Sequence, residues 1–169
     1  MQDLSTEDEN SEINNSDIIK KTLMALIVVA TSKTSDDYAW SSVKTLIQEL
    51  KSTYDFLKFI KIGKIERINY KIDDIHVANN INDIDPSELG KALQDLIDLL
   101  KKRLGNRAGY FFLQEFKQTL GERYHSIIKD IGVDLRLIDL QNQLQGMDSS
   151  EYKIKDDHSS NIAFIEKTQ

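Results

Sequence analysis

"SDIIKKTLMALIVVATSK", residues 16–33, decides the fold. Ile19, Leu23, Leu26, Ile27 and Ala30 recur at helical spacing, which predicts a helix capped by Ser16 with Asp17 at the positive end of its dipole. Ile27, Val28 and Val29 make the segment apolar all round there, so it reads as the central element; a buried strand over 24–31 is the alternative. As a helix it puts the chain in a mainly helical class. As a strand it would seed a sheet.

The flanking residues favour the helix. Ser35 is a second N-cap, followed by Asp36 and Asp37 and then by the stripe Ala39, Val43, Leu46, Ile47, Leu50 and Tyr54, with Trp40 on its flank. Further on, "DPSE" at 85–88 places Asp85 as N-cap, Pro86 at the first helical position and Glu88 at the capping-box position. Leu89, Leu93, Leu96, Ile97, Leu100 and Leu104 then form one apolar face, and Gly105 stands where such a helix terminates. Gly121, Gly132 and Gly146 punctuate a series of shorter helices; Val133, Leu135 and Leu137 alternate, so the last could begin as a strand.

Between these helical regions the period changes. Ile60 and Ile62 alternate with lysine, and Ile68, Tyr70 and Ile72 alternate with polar residues, which predicts strands joined around Gly63-Lys64. Phe56, Phe59 and Ile60 also fit a helical period, so the second helix can extend to about residue 60. A lone hairpin is marginal in water and must lean on the helices. The expected class is α+β and predominantly helical: about five or six helices with a small antiparallel hairpin or sheet over residues ~56–78. The expected organisation is an acidic disordered tail over 1–15, a globular domain over 16–146, and a polar C-terminal tail over 147–169 whose islands "YKIK" and "IAFI" could dock back as a strand.

Composition narrows the chemistry. The 169 residues are 40% hydrophobic and 30% charged, ordinary for a soluble globular protein. Cysteine is absent, which removes disulfides, thiolate metal sites and a cysteine nucleophile, and fits a reducing compartment. The net charge is −6, from 28 acids and 22 bases. Residues 1–17 hold Asp3, Glu7, Asp8, Glu9, Glu12 and Asp17 and no base, so the remaining body is formally neutral. The acidic start lacks the pattern of a secretion signal, and the apolar run "LMALIVVA" is far short of the ~20 residues that span a bilayer. The expectation is a cytoplasmic protein without a membrane segment.

The densest chemistry lies in "KKRLGNRAGYFFL", residues 101–113. Lys101, Lys102, Arg103 and Arg107 adjoin Tyr110 and Phe111, the cation-plus-ring mixture that single-stranded nucleic acid uses for phosphates and stacked bases. "GYFFL" departs from the ribonucleoprotein motif of RNA-recognition sheets: Phe111 stands where a small residue belongs, and Glu115 where an aromatic belongs. The plainer reading is a helix junction, with cations in a last helical turn, a glycine stop, and rings that open the next helix toward the core. Gly105 and Gly109 with Arg107 also permit a weak anion cradle, without the spacing of a phosphate-binding loop.

Other constellations are thinner. Glu122 and His125 share the Glu-x-x-His spacing of di-iron bundles, but such bundles need the motif twice with two further carboxylates. His76 lies near Asp73 and Asp74, of which only Asp74 shares its face in a strand. A helix-turn-helix around Gly132 fails on Ile128, where a small residue is required, and on Gln141, where an apolar one is. No nucleophile elbow, zincin motif or kinase signature is present. No cofactor or metal is expected, and no enzyme. The reading is a cytoplasmic regulatory or adaptor protein that acts through a protein partner or as a homodimer. The alternative is a single-stranded nucleic-acid module centred on residues 101–112.

Overall fold

The computed structural model describes residues 12–63 and 74–146. Expectations for the tails at 1–11 and 147–169, and for the strand at Ile68, Tyr70 and Ile72, lie outside the described residues. The chain divides into two compact units, Met1–Val133 and Asp134–Gln169.

Residues 16–33 are helical. Helix α1 spans Asn15–Lys33 and is the hub of the first unit: α2 (Asp36–Leu50), α3 (Pro86–Leu104), α4 (Phe112–Leu120) and α5 (Glu122–Asp130) all contact it. Ile19, Leu23, Leu26, Ile27, Val29 and Ala30 are buried, as a helix surrounded by partners requires. Val28 is the exposed residue of the apolar run, and Met24 is half-buried. A buried strand at 24–31 is excluded, because an unbroken α-helix satisfies the backbone of this core segment internally.

The cap differs from the expectation. Asn14, not Ser16, caps α1: its side chain accepts from the Asp17 N–H at 3.0 Å, and the Asp17 carboxylate accepts from the Asn14 N–H at 3.4 Å, a reciprocal box. Ser16 is nearly buried in the first turn, its N–H held by Asn82 Oδ1 at 2.9 Å. Asn15 Nδ2 donates to the carbonyls of Ile81 and Ile84, at 3.0 and 2.9 Å. These bonds fasten the start of α1 to the 3₁₀ turn Asn79–Asp83.

Helix α2 is capped by Ser35 as its sequence indicates, and it buries Ala39, Trp40, Val43, Leu46, Ile47 and Leu50. It stops at Leu50, so Tyr54 leaves the stripe predicted for it. A 3₁₀ turn, Asp55–Phe59, then delivers the chain to strand β1, Ile60–Ile62, which resolves the helix-or-strand ambiguity of 56–60. β1 pairs antiparallel with β2, Ile75–Val77, in the register Ile60 to Val77, Lys61 to His76 and Ile62 to Ile75. The ribbon leans on the helices through buried Ile60 and Ile75, as its marginal size demands.

Tyr54 has a different task. Its Oη donates to Asp95 Oδ2 on α3 at 2.7 Å, tying the exit of α2 to the middle of α3. Burial first, then this hydrogen bond and the charges of Asp95 and Glu88, push its phenol from an ordinary 10.0 up to about 12. A proton held more tightly in the fold than in the unfolded chain stabilises the fold below the unfolded pKa; the contribution is lost as pH rises through the folded one. Urea midpoints should therefore fall between pH 10 and 12, and Tyr54→Phe should flatten that limb while costing about 1 kcal/mol at neutral pH. A wild-type alkaline limb identical to that of the variant would contradict this linkage.

Helix α3 begins as its sequence indicates. Asp85 accepts from the Ser87 N–H at 2.8 Å and from the Ser87 hydroxyl at 2.6 Å, and Pro86 occupies the first turn. These bonds, the hydroxyl's foremost, hold the Asp85 carboxyl below its usual range. Helices α4 and α5 follow, α4 burying Phe112, Leu113, Phe116 and Leu120, and α5 burying Ile128. In the second unit residues 135–146 form α6, so Val133, Leu135 and Leu137 do not start a strand. Together the described residues form six α-helices and one small antiparallel pair, a predominantly helical α+β fold.

Candidate interaction surface

The run of cations and rings divides at Gly105. On its N-terminal side, Lys101, Lys102 and Arg103 complete the last turn of α3, where they complement the negative end of the helix dipole. Lys102 Nζ meets Asp98 Oδ2 one turn earlier at 2.6 Å. Arg103 reaches across to α2, its Nη2 donating to Glu49 Oε1 at 2.8 Å and Oε2 at 3.0 Å. Lys101 is half-buried on the same helix. Acids on the protein therefore already neutralise two of these cations, and Arg103 serves as a tie between α2 and α3.

Gly105 ends the helix with φ +55°, its N–H donating to the carbonyls of Lys101 and Lys102, as the sequence predicts. A 3₁₀ turn, Gly105–Ala108, buries Ala108, and Gly109 takes φ +73° to turn the chain outward. That second positive φ decides what the next residues face. Tyr110 is 84% exposed and Phe111 58%, while Phe112 beside them is fully buried at the head of α4. The sequence-based junction reading, in which the rings turn to the core, holds for Phe112 and fails for Tyr110 and Phe111. These two precede α4, and the Gly109 turn presents them to water.

The exposed rings are ordered against one another. Their centroids lie 5.2 Å apart with planes at 88°, an edge-to-face pair. Arg107, exposed, lays its guanidinium 5.4 Å from the centre of the Tyr38 ring in the first turn of α2. Nearby, Lys33 at the end of α1 pairs with Glu115 of α4 at 2.8 Å, and its Nζ lies 3.9 Å from where a Cβ on Gly109 would sit. Thus the ends of α1 and α3 and the starts of α2 and α4 converge on one loop.

Of the six residues singled out in the sequence, the structure groups Arg107, Tyr110 and Phe111 on this loop. It places Lys101, Lys102 and Arg103 on α3, the last two engaged with acids. Tyr38, Lys33 and Glu115 are new members. The sequence does not connect them to the loop as binding residues, because they join it through the packing of α1, α2 and α4.

No family model, curated protein or solved structure matches this chain.

The remaining candidates for chemistry are dispersed. Among the described residues no three His, Asp or Glu side chains gather to hold a metal ion. His125 shares one helix with Glu122, and burial, followed by the charge of Lys117, holds its imidazole below the usual range. The nearby Glu122 carboxylate opposes that shift without reversing it. Among the described residues no helix is long and apolar enough to cross a membrane.

Proposed function

We propose that this chain is a non-enzymatic cytoplasmic adaptor or regulatory protein whose loop Arg107–Phe111, with Tyr38, binds a protein partner or a second copy. The observation that carries the reading is the exposure of Tyr110 and Phe111 next to a buried Phe112. Leaving two large rings in water forgoes their burial energy, and tyrosine and arginine are enriched where protein interfaces concentrate their affinity. Both aromatic pairings of the patch limit side-chain freedom before a partner arrives, which lowers the entropy lost on binding.

The alternative, single-stranded nucleic acid, draws on the same rings and Arg107. It is weakened by Lys102 and Arg103, whose charges are matched by Asp98 and Glu49 and not presented as a phosphate track. The test is light scattering after size exclusion, followed by titration of the self-association or of a captured partner against wild type and the Tyr110→Ser/Phe111→Ser double variant. Interface aromatics of this kind carry about 2 kcal/mol each, so the variant should weaken the complex by at least ~30-fold with the fold unchanged. Unchanged affinity in the variant, or salt-sensitive binding of oligothymidylate by the wild type alone, would overturn the proposal.

A further inference from the structure

We infer that a groove between α2 and β1 receives an extended acidic segment of a partner protein, added to β1 as a further strand. The groove encloses about 400 Å³ and is lined by Lys44, Ile47 and Gln48 from α2, by Lys51 at its C-cap, and by Lys58, Ile60, Lys61 and Ile62 from the turn and strand opposite. Residues 44, 47, 48 and 51 fall at i, i+3, i+4 and i+7, so they share one helical face. Ile47 and Ile60 are buried beneath, and four lysines stand around them. Neither Lys44 nor Lys61 meets an acid among the described residues, whereas Lys58 pairs with Asp55 and Lys51 rests on Gln48. The groove is therefore apolar at its base and cationic at its banks.

The backbone adds the second requirement. The Ala78 N–H donates to the Phe59 carbonyl at 3.1 Å and the Gly63 N–H to the Asp74 carbonyl at 2.8 Å. With Lys61 opposite His76, these bonds make residues 59, 61 and 63 the ones that face β2. The peptide groups of Ile60 and Ile62 then point to the other edge. The Ile60 N–H turns back to the Leu57 carbonyl, which leaves the Ile60 C=O and the Ile62 N–H and C=O as an open ladder among the described residues. Three consecutive strand residues line the groove, as they do where a cavity meets a strand edge, since alternate side chains leave on opposite faces.

An unpaired edge recruits extended chains, and one lysine on it is a common guard against indiscriminate pairing. Here Lys44 of α2 and Lys51 at its C-cap stand across the groove, which turns that guard into a filter for acidic sequences. A small anion would satisfy the lysines and leave the ladder and the isoleucine base unused. Nucleic acid would find no ring among the lining residues to stack on. An extended acidic peptide with an intervening apolar residue uses all three. The groove shares no residue with the Tyr110–Phe111 patch. It has in common with that reading only the premise that this chain acts on other proteins, and each surface can fail without the other.

The probe is a fluorescein-labelled peptide, Glu-Asp-Ile-Glu-Val-Glu-Asp-Glu, titrated by anisotropy at low salt against the whole chain. Saturable binding should weaken at least about tenfold for Lys44→Glu/Lys51→Glu, and by a similar factor for a peptide N-methylated at alternate residues. Lys44 is exposed, and Lys51 is half-buried with Gln48 as its hydrogen-bond partner, so far-ultraviolet dichroism should show the variant folded. Independently of any variant, amide shifts in wild-type protein should centre on Lys61 and Ile62. Absence of saturable binding, equal affinity in the charge-reversed variant, indifference to N-methylation, or displacement by equimolar tripolyphosphate or oligothymidylate would each overturn the inference.

Discussion

Phe112→Ala should cost about 4 kcal/mol of stability, while Phe111→Ala, one residue earlier, should stay within about 0.5 kcal/mol of wild type. Both are phenylalanines at the same helix start, so composition and propensity do not separate them. Burial does. Phe112 is fully enclosed with Phe116 and Leu120 on the face of α4 that meets α1, and its removal leaves a ring-sized void that close-packed neighbours fill only in part. Phe111 is 58% exposed, and truncating it removes contact with the Tyr110 ring but opens no cavity. Urea denaturation of the two variants under one set of conditions is the measurement. Comparable losses at both positions would mean that Phe111 is a structural residue, and would remove the basis for treating the loop as an interface.

This pair shows what the sequence conveys and what it withholds. Helical period places α1 to α3, and turn chemistry fixes Ser35, Asp85 and Gly105 as their stops and starts, because these signals are local. The helix at 16–33 could be preferred over a strand for the same reason. Where two local signals compete, the sequence is ambiguous. Phe56, Phe59 and Ile60 fit both periods, and the chain resolves them as a 3₁₀ turn that leads into a strand. Asn14 displaces Ser16 as cap because the Asn79–Asp83 turn engages the Asn15 side chain and the Ser16 N–H. That influence comes from residues far along the chain.

The candidate surfaces divide in the same way. Arg107, Tyr110 and Phe111 are conspicuous as a run of residue types. Tyr38 is not, because its link to them comes from the packing of α2 beside the loop. Lys102 and Arg103 look like free cations in the sequence and prove to be internal ion pairs, one local and one across helices. The lysine groove is less legible still. Lys44 and the C-cap Lys51 continue the polar side of an ordinary amphipathic helix until β1 is placed opposite. Charge alone therefore overstates the first surface and misses the second.

Gly90→Ala should destabilise the protein by about 3 kcal/mol, although the same change in an unencumbered helix interior stabilises by about 1 kcal/mol. Gly90 lies in the first half of α3, in an ordinary helical conformation that alanine adopts readily, so propensity alone favours the substitution. The obstacle is steric. A Cβ at this position would stand 1.9 Å from the Ile131 carbonyl oxygen and 2.8 Å from its carbon, with the Gly132 nitrogen at 3.5 Å. All three are backbone atoms, so no side chain can swing away to make room. The clash can be relieved only by moving the end of α5 away from α3, which disturbs the turn where the Gly132 N–H donates to the Lys129 carbonyl and the Val133 N–H to the Ile128 carbonyl. Buried Ile128 belongs to that turn and would lose packing with it. Gly146→Ala supplies the control, since among the described residues a Cβ there meets nothing within 4 Å, and the change should fall within about 0.5 kcal/mol of wild type. Denaturant midpoints of the two variants, with slopes compared to confirm a common transition, decide the matter. A Gly90→Ala protein as stable as wild type would show that α3 and the α5 terminus are not held in this close backbone contact. The first unit would then have to be packed differently along that side of α3.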